Sequence, residues 1–260
     1  MRIGFIGVGN MAGAILEGLH RKDMLGENEV YLYDIDMAKV FAAAEKYSLN
    51  ARDSAVGVVE ASDVVFLAIK PHQLFSLLDE IKPVLGQKAI VSLPVGISMA
   101  DIQARLGYES PVVRIVANVN TEVFLSVTSL CCNKLAEAVK PAVVKLLEAI
   151  GSVIEIDEKF FDIFTVIASS APAFVVKFAE SLAEAALREG LPKDAARKIV
   201  ADMLHGTGKM LASSCPKEMT DKICSPGGTT IVGLIALTEG GFETSIHSAA
   251  RACMEKLGSN

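Results

Sequence analysis

Short apolar segments alternate with amphipathic segments over the first part of the chain. Strand-like runs rich in Val and Ile occupy residues 2–7, 29–34, 64–69, 89–93, 112–116 and 126–130, with a further candidate at residues 152–156. Several of these runs are continuously apolar, which is typical of parallel strands buried on both faces. Helical periodicity lies between them, for example over residues 11–21, 37–47 and 74–81. This alternation predicts an α/β fold with a Rossmann-like, doubly wound sheet.

The strand pattern stops after residue 156. Helical periodicity then covers residues 160–167, 172–189, 192–213, 231–239 and 242–257. Several of these segments are apolar around much of their circumference, and a domain of roughly a hundred residues cannot cover so much apolar surface by itself. We therefore predict a Rossmann-like domain over residues 1–157 and an all-α dimerisation domain over residues 158–260. The expected assembly is a homodimer or a larger homo-oligomer built from dimers.

Composition and charge exclude several classes of partner. The net charge is −6 and the basic residues form no cluster, which argues against nucleic acid and anionic membranes. The sequence shows neither a signal peptide nor an uninterrupted apolar run of about 18 residues, so we expect a cytoplasmic protein. The five cysteines and four histidines lack metal-ligand spacing, and we expect reduced thiols and no metal site.

A glycine loop follows the first predicted strand and opens the first predicted helix. It has the pattern Gly7-x-Gly9-x-x-Ala12, which in this context is typical of a dinucleotide site. Gly7 permits the tight turn, Gly9 lets the backbone approach a pyrophosphate, and Ala12 is small enough for helix–strand packing. The alternative is a turn that merely needs glycine.

The second predicted strand ends in Asp34. An acid at this point accepts hydrogen bonds from the adenosine ribose hydroxyls and repels a 2′-phosphate, and the next basic residue is Lys39. The cofactor is thus NADH or NADPH, with NADH favoured. The alternative role for Asp34 is to cap the helix that follows.

Four motifs spread along the chain resemble the Δ1-pyrroline-5-carboxylate reductase family, whose members catalyse the last step of proline biosynthesis. They are IGFIGVGNMA at residues 3–12, ASDVVFLAIKP at residues 61–71, LPVGIS at residues 93–98 and, most specific, SPGGTT at residues 225–230. The last motif is followed by Gly233-Leu234 and by EGGF at residues 239–242. The resemblance implies reduction of a cyclic imino acid to L-proline by NADH or NADPH, with hydride transfer to the protonated imine.

The resemblance also implies the residues of the site. The substrate carboxylate would meet backbone N–H groups in the turn Ser225-Pro226-Gly227-Gly228-Thr229-Thr230, and Thr230 would act as the catalytic residue by hydrogen bonding to the ring nitrogen. The substrate-binding residues are then Ser225, Gly227, Gly228, Thr229 and Thr230. The cofactor-binding residues are Gly7, Gly9, Asn10, Met11, Asp34, Ala68, Lys70, Pro71 and Asn118.

Two segments depart from the family pattern. Residues 114–120 keep Arg114 and Asn118 but lack the family's Met and both prolines, and residues 168–174 replace both family glycines with larger residues. If those positions need positive φ, the replacements are costly. These departures leave open a paralogue that reduces another cyclic imine or a keto acid, and a weakly catalytic NAD(P)-binding regulatory protein. A 3-hydroxyacid dehydrogenase also stays open, because Lys177 sits near the position of the catalytic lysine in that class.

Overall fold

The computed structural model describes residues 1–258, which form two compact units, residues 1–169 and residues 170–258. Residues 158–169 belong to the first unit because Phe161, Phe164 and Ala168 pack against Val116 and Cys131 at the edge of its core. The sequence pattern assigns those twelve residues to the helical part, since periodicity alone does not show which core a helix joins.

The first unit is built on one sheet of eight strands in the order β3-β2-β1-β4-β5-β6-β7-β8. All neighbouring pairs are parallel except β6 and β7, which are antiparallel. The strands are β1 Arg2–Ile6, β2 Glu29–Tyr33, β3 Asn50–Ala51, β4 Val64–Leu67, β5 Ala89–Ser92, β6 Val112–Val116, β7 Ser126–Cys132 and β8 Gly151–Glu155. The order reverses between β1 and β4, which is where doubly wound sheets bind dinucleotides. The predicted fold class is confirmed.

Seven helices belong to the first unit. They are α1 Asn10–Arg21, α2 Met37–Tyr47, α3 Ala55–Ala61, α4 Leu74–Leu85, α5 Met99–Leu106, α6 Lys140–Leu147 and the short α7 Phe161–Phe164, which runs into the π-helical segment Thr165–Ser170. These helices cover both faces of the sheet. In β4, Val64 and Phe66 join one apolar cluster while Val65 and Leu67 join the other. This two-sided burial explains why β4 reads as a continuous apolar run.

Five helices form the second unit: α8 Ala171–Arg188, α9 Lys193–Leu211, α10 Pro216–Ile223, α11 Thr229–Glu239 and α12 Phe242–Gly258. No residue of α8, α11 or α12 is buried within the described chain. On α11, Val232 is 63% exposed and Ile235 is 51% exposed. By length and composition the continuous helical stretch Glu158–Arg188 could also cross a membrane, and 28% of its most apolar window is buried. These helices carry apolar surface that the single chain does not cover.

Among the elements outside the predicted segments are β3 and α10. The strand β3 has only two residues, too few to produce an alternation. Helix α10 has only eight residues, too few for the apolar spacing of Met219 and Ile223 to stand out over the roughly 11–18 residues that identify a helix.

Candidate active site

The glycine turn lies where β1 meets α1. Gly7 has φ +95°, and a Cβ placed on it would lie 2.4 Å from the carbonyl oxygen of Ala68, the residue that follows β4. The Gly7 N–H donates to the Tyr33 carbonyl at 2.8 Å, so three strand ends meet here. Only glycine fits this backbone.

Gly9 is the N-cap residue of α1, and within residues 1–258 no side chain caps that helix. A Cβ placed on Gly9 would meet no atom within 4 Å. The first turn of α1 thus presents backbone N–H groups beside open space, and helix N-termini of this kind bind phosphates. The turn fits the pyrophosphate of a dinucleotide.

Asp34 is held by the glycine turn itself. Its Oδ2 accepts the Val8 N–H at 2.7 Å, and its Oδ1 accepts the Asp36 N–H at 2.9 Å. The helix cap belongs to Asp36, which accepts the Ala38 N–H at 3.2 Å and stands at the N-cap of α2. The capping alternative for Asp34 is therefore wrong. Each carboxylate oxygen of Asp34 retains a lone pair for a ribose hydroxyl.

These residues line one cleft of about 980 Å³ in the first unit. The cleft brings together eight of the nine predicted cofactor residues, namely Gly7, Gly9, Asn10, Met11, Asp34, Ala68, Lys70 and Asn118. Pro71 is not in the lining; it begins the 3-10 turn Pro71–Gln73 that precedes α4. The cleft also includes residues that the sequence did not single out for the site, among them Ile35, Lys39, Thr121 and Ser169.

Asn118 carries an acceptor with no partner. The side chain is buried, its Nδ2 donates to the Ala168 carbonyl at 2.9 Å, and its Oδ1 has no hydrogen-bond partner among the described residues. Thr121 supports this turn because its hydroxyl donates to the Asn118 carbonyl and lies 3.7 Å from the Met11 Sδ. A buried acceptor without a partner is costly, and a ligand donor such as the nicotinamide carboxamide would satisfy it.

A part-buried ion pair ties β6 to residue 158, where the helical stretch begins. The Arg114 Nη1 lies 2.8 Å from the Glu158 Oε1, and the same oxygen accepts the Met99 N–H at 2.7 Å at the start of α5. The Arg114 guanidinium also lies over the Phe161 ring at 4.8 Å. These contacts join segments that are 44 residues apart, and the sequence pattern gave no sign of Glu158.

The altered segment at residues 168–174 is unstrained. Non-glycine residues with positive φ in the described chain are Asp23, Ser48 and Phe124. Neither replacement for a family glycine in this segment therefore has a left-handed backbone. Ser169 lies on the π-helical segment, lines the cleft, and donates its hydroxyl to the Ala117 carbonyl at 3.3 Å. The expected cost of replacing glycine is absent from this structure.

The SPGGTT turn belongs to the second unit and precedes α11. Gly227 has φ +68°, and the Gly228 N–H donates to the Ser225 carbonyl at 3.0 Å. Gly228 is the N-cap residue, α11 has no side-chain cap within residues 1–258, and Thr229 and Thr230 are exposed. This is an open helix N-terminus that suits a carboxylate.

The reversal of the sheet, the glycine turn and Asp34 together define a dinucleotide-dependent oxidoreductase of the Rossmann class. Residues 2–96 match a family model described as NADP oxidoreductase, coenzyme F420-dependent. Residues 158–259 match a model described as pyrroline-5-carboxylate reductase dimerisation. The chain belongs to the pyrroline-5-carboxylate reductase family and is an NAD(P)H-dependent oxidoreductase. The predicted resemblance is confirmed.

Relatives match over almost the whole chain. It is 32% identical to the pyrroline-5-carboxylate reductase of Escherichia coli strain K12, covering 98% of this chain and 96% of the relative. Pyrroline-5-carboxylate reductase 3 of Danio rerio is 32% identical, with 98% and 90% covered. Among solved structures, the enzyme of Coxiella burnetii has a TM-score of 0.93 at 27% identity, covering 99% of this chain and 97% of that one. The NADP-bound pyrroline carboxylate reductase of Plasmodium falciparum has a TM-score of 0.86 at 28% identity, covering 100% and 97%.

The dehydrogenase alternative finds less support. A 3-hydroxyisobutyrate dehydrogenase of Mycobacterium tuberculosis has a TM-score of 0.53 at 14% identity, covers 74% of this chain and 66% of that one, and so shows only a shared fold. Lys177, the residue that kept this alternative open, is 73% exposed at its side chain and forms an ion pair with Glu180 at 3.6 Å.

Proposed function

We propose that this chain reduces Δ1-pyrroline-5-carboxylate to L-proline, with NADH as the preferred reductant. The observation that carries the proposal is the open SPGGTT turn before α11, in a chain whose first unit also contains a dinucleotide cleft. Full-length similarity to pyrroline-5-carboxylate reductases supports the same reaction. The reaction consumes one hydride and one proton, which add across the C=N bond.

The first unit holds the cofactor. The N–H groups of the first turn of α1 bind the pyrophosphate, Asp34 binds the adenosine ribose, and the unpaired Asn118 Oδ1 accepts from the nicotinamide carboxamide. When bound, NADH supplies the hydride. The preference for NADH rests on Asp34, whose charge repels a 2′-phosphate.

The second unit holds the substrate. The carboxylate of the imino acid meets the backbone N–H groups of Gly227 and Thr229, together with that of Gly228, which exchanges its hydrogen bond to the Ser225 carbonyl for the ligand. A Cβ on Gly227 would meet no atom within 4 Å, so the main chain is open there, and the helix dipole of α11 favours an anion. The Thr230 hydroxyl hydrogen-bonds to the ring nitrogen and orients the imine. The substrate nitrogen is itself basic, so the protein needs no strong acid and acts mainly by orientation.

The proposal extends to the assembly of the protein and to its location. The apolar exposed surface of α8 and α11 is covered in a homodimer, in agreement with the family model for residues 158–259. Larger assemblies consist of such dimers. The protein acts in the cytoplasm on a small soluble substrate.

The test is an assay with purified chain, following loss of the reduced dinucleotide by its near-ultraviolet absorbance and formation of L-proline by chromatography. NADH and NADPH are each supplied with Δ1-pyrroline-5-carboxylate, with other cyclic imines and with keto acids. Turnover of Δ1-pyrroline-5-carboxylate supports the proposal. Turnover of other substrates alone identifies a paralogue, and dinucleotide binding without any turnover identifies a regulatory protein.

A further inference from the structure

Lys39 lies at the proposed dinucleotide cleft, which its place in the sequence does not indicate. It stands in the first turn of α2, and its side chain lines the cleft together with Asp34 and Ile35. A basic side chain at this end of a dinucleotide site accommodates a 2′-phosphate, and Lys39 supplies such a charge. From the sequence alone, Lys39 is too far after Asp34 to be predicted as a residue that contacts the 2′-position of the ribose.

Lys39 is engaged by a second acid. Its Nζ lies 3.4 Å from the Asp36 Oδ2, one turn earlier on the helix, and both side chains are about half exposed, at 55% and 48%. This spacing is longer than that of a strong charge-assisted hydrogen bond, and exposed pairs of this kind are weak. The ammonium can therefore exchange Asp36 for a better anion.

Asp34 and Asp36 act differently on that ammonium. The Asp34 carboxylate is fixed by two backbone N–H groups, those of Val8 and Asp36, whereas Asp36 uses one oxygen to cap α2 and the other for Lys39. Asp36 is thus the acid whose charge can be removed without disturbing the glycine turn. Asn caps helices as well as Asp does, so Asp36→Asn changes the charge and preserves the cap.

We propose that the Asp36–Lys39 pair sets how strongly the chain discriminates between NADH and NADPH, with the Asp36 carboxylate competing with a 2′-phosphate for the Lys39 ammonium. This inference rests on the proposed dinucleotide site. Removal of the Asp36 charge releases Lys39 for the 2′-phosphate and also removes a repulsion. NADH carries an uncharged 2′-hydroxyl at that position, so its affinity stays nearly constant.

The experiment measures the dissociation constants of NADH and NADPH by calorimetry, without substrate. The variants are Asp36→Asn, Lys39→Met and the double variant, compared with the unsubstituted chain. Asp36→Asn is expected to tighten NADPH binding on the order of tenfold at low salt, as expected for one charge acting on a phosphate dianion in water. Lys39→Met weakens NADPH binding, and the gain from Asp36→Asn shrinks in its background. Added salt reduces each effect because both are electrostatic, a response that a purely structural change would not show.

Three outcomes overturn the proposal. One is an unchanged NADPH-to-NADH affinity ratio in Asp36→Asn, and another is unchanged NADPH affinity in Lys39→Met. The third is an equal gain from Asp36→Asn with and without Lys39, which would assign the effect to repulsion alone. Failure of the unsubstituted chain to bind either dinucleotide would instead refute the proposed cofactor site, a result distinct from a fixed ratio.

Discussion

The two glycines of the β1–α1 turn have different roles: Gly7 is required by the fold, and Gly9 is required by the ligand. At Gly7 a Cβ would lie 2.4 Å from the Ala68 carbonyl oxygen, and φ is +95°. At Gly9 the Cβ would meet no atom within 4 Å, and φ is −81°. We therefore expect Gly7→Ala to destabilise the chain, and Gly9→Ala to weaken dinucleotide binding without destabilising it.

The magnitudes follow from these geometries. An alanine in a left-handed backbone costs about 1–2 kcal/mol, and forcing a methyl against a fixed carbonyl adds about 1–3 kcal/mol. The stiffer unfolded chain returns about 0.4–1 kcal/mol, so Gly7→Ala should lower the free energy of unfolding by about 2–4 kcal/mol. Gly9→Ala should change it by about 0.5 kcal/mol or less, because alanine caps α1 less well than glycine but also stiffens the unfolded chain, and the two effects offset each other. Its methyl group stands where a pyrophosphate approaches, and we expect NADH affinity to fall about tenfold or more.

Urea denaturation, monitored by tyrosine fluorescence, measures the stability of the first unit, which contains both glycines. The chain has no tryptophan, and its four tyrosines, Tyr31, Tyr33, Tyr47 and Tyr108, all lie in the first unit. Calorimetry with NADH measures binding for the same samples. Equal stability of Gly7→Ala and Gly9→Ala would refute the argument from strain. NADH affinity in Gly9→Ala equal to that of the unsubstituted chain would remove the turn from the pyrophosphate site.

Four further predictions concern single side chains. Thr230→Ala should lower kcat/KM about tenfold or more with NADH affinity unchanged, because a hydrogen bond to a charged group contributes about 1.5–3 kcal/mol. Thr230→Ser should restore most of the rate. Equal kcat/KM in Thr230→Ala and in the unsubstituted chain would exclude the hydroxyl from catalysis. Asp34→Ser should narrow the NADH/NADPH affinity ratio, and an unaltered ratio in calorimetry would show that the acid only fixes the Val8 N–H. Glu158→Ala should lower the free energy of unfolding by about 3 kcal/mol, since it leaves Arg114 buried without its partner. Glu158→Gln keeps an acceptor and should lower that free energy less. Equal urea midpoints for the two variants would contradict this. Hydrogen bonds from the Lys46, Tyr47 and Arg21 side chains lower the pKa of Glu17 from 4.5 to about 2. The stabilisation that the Glu17 carboxylate provides is therefore complete above about pH 4.5 and is lost as the pH falls through about 2. Glu17→Gln should remove that part of the acid dependence of stability, and identical pH profiles for the variant and the unsubstituted chain would refute this.

The sequence by itself determined the elements that leave a local pattern along the chain. The β1 strand, the glycine turn and α1 follow one another within a few residues, and each leaves a pattern in apolar spacing or glycine placement. The doubly wound class follows from that alternation, and the SPGGTT turn follows from its own glycines. Asp34 was found as the last residue of a strand-like run.

Only the tertiary structure decided which side chains meet across distant segments. The Arg114–Glu158 pair spans 44 residues and the Asn118–Ala168 hydrogen bond spans 50, so no local periodicity encodes either contact. The tertiary structure also decided that Asp36, and not Asp34, caps α2, because the Asp34 carboxylate accepts the Val8 N–H and the Asp36 N–H. Helix periodicity is fixed by neighbours three or four residues away, whereas these contacts depend on how strands far apart in the chain are ordered in the sheet.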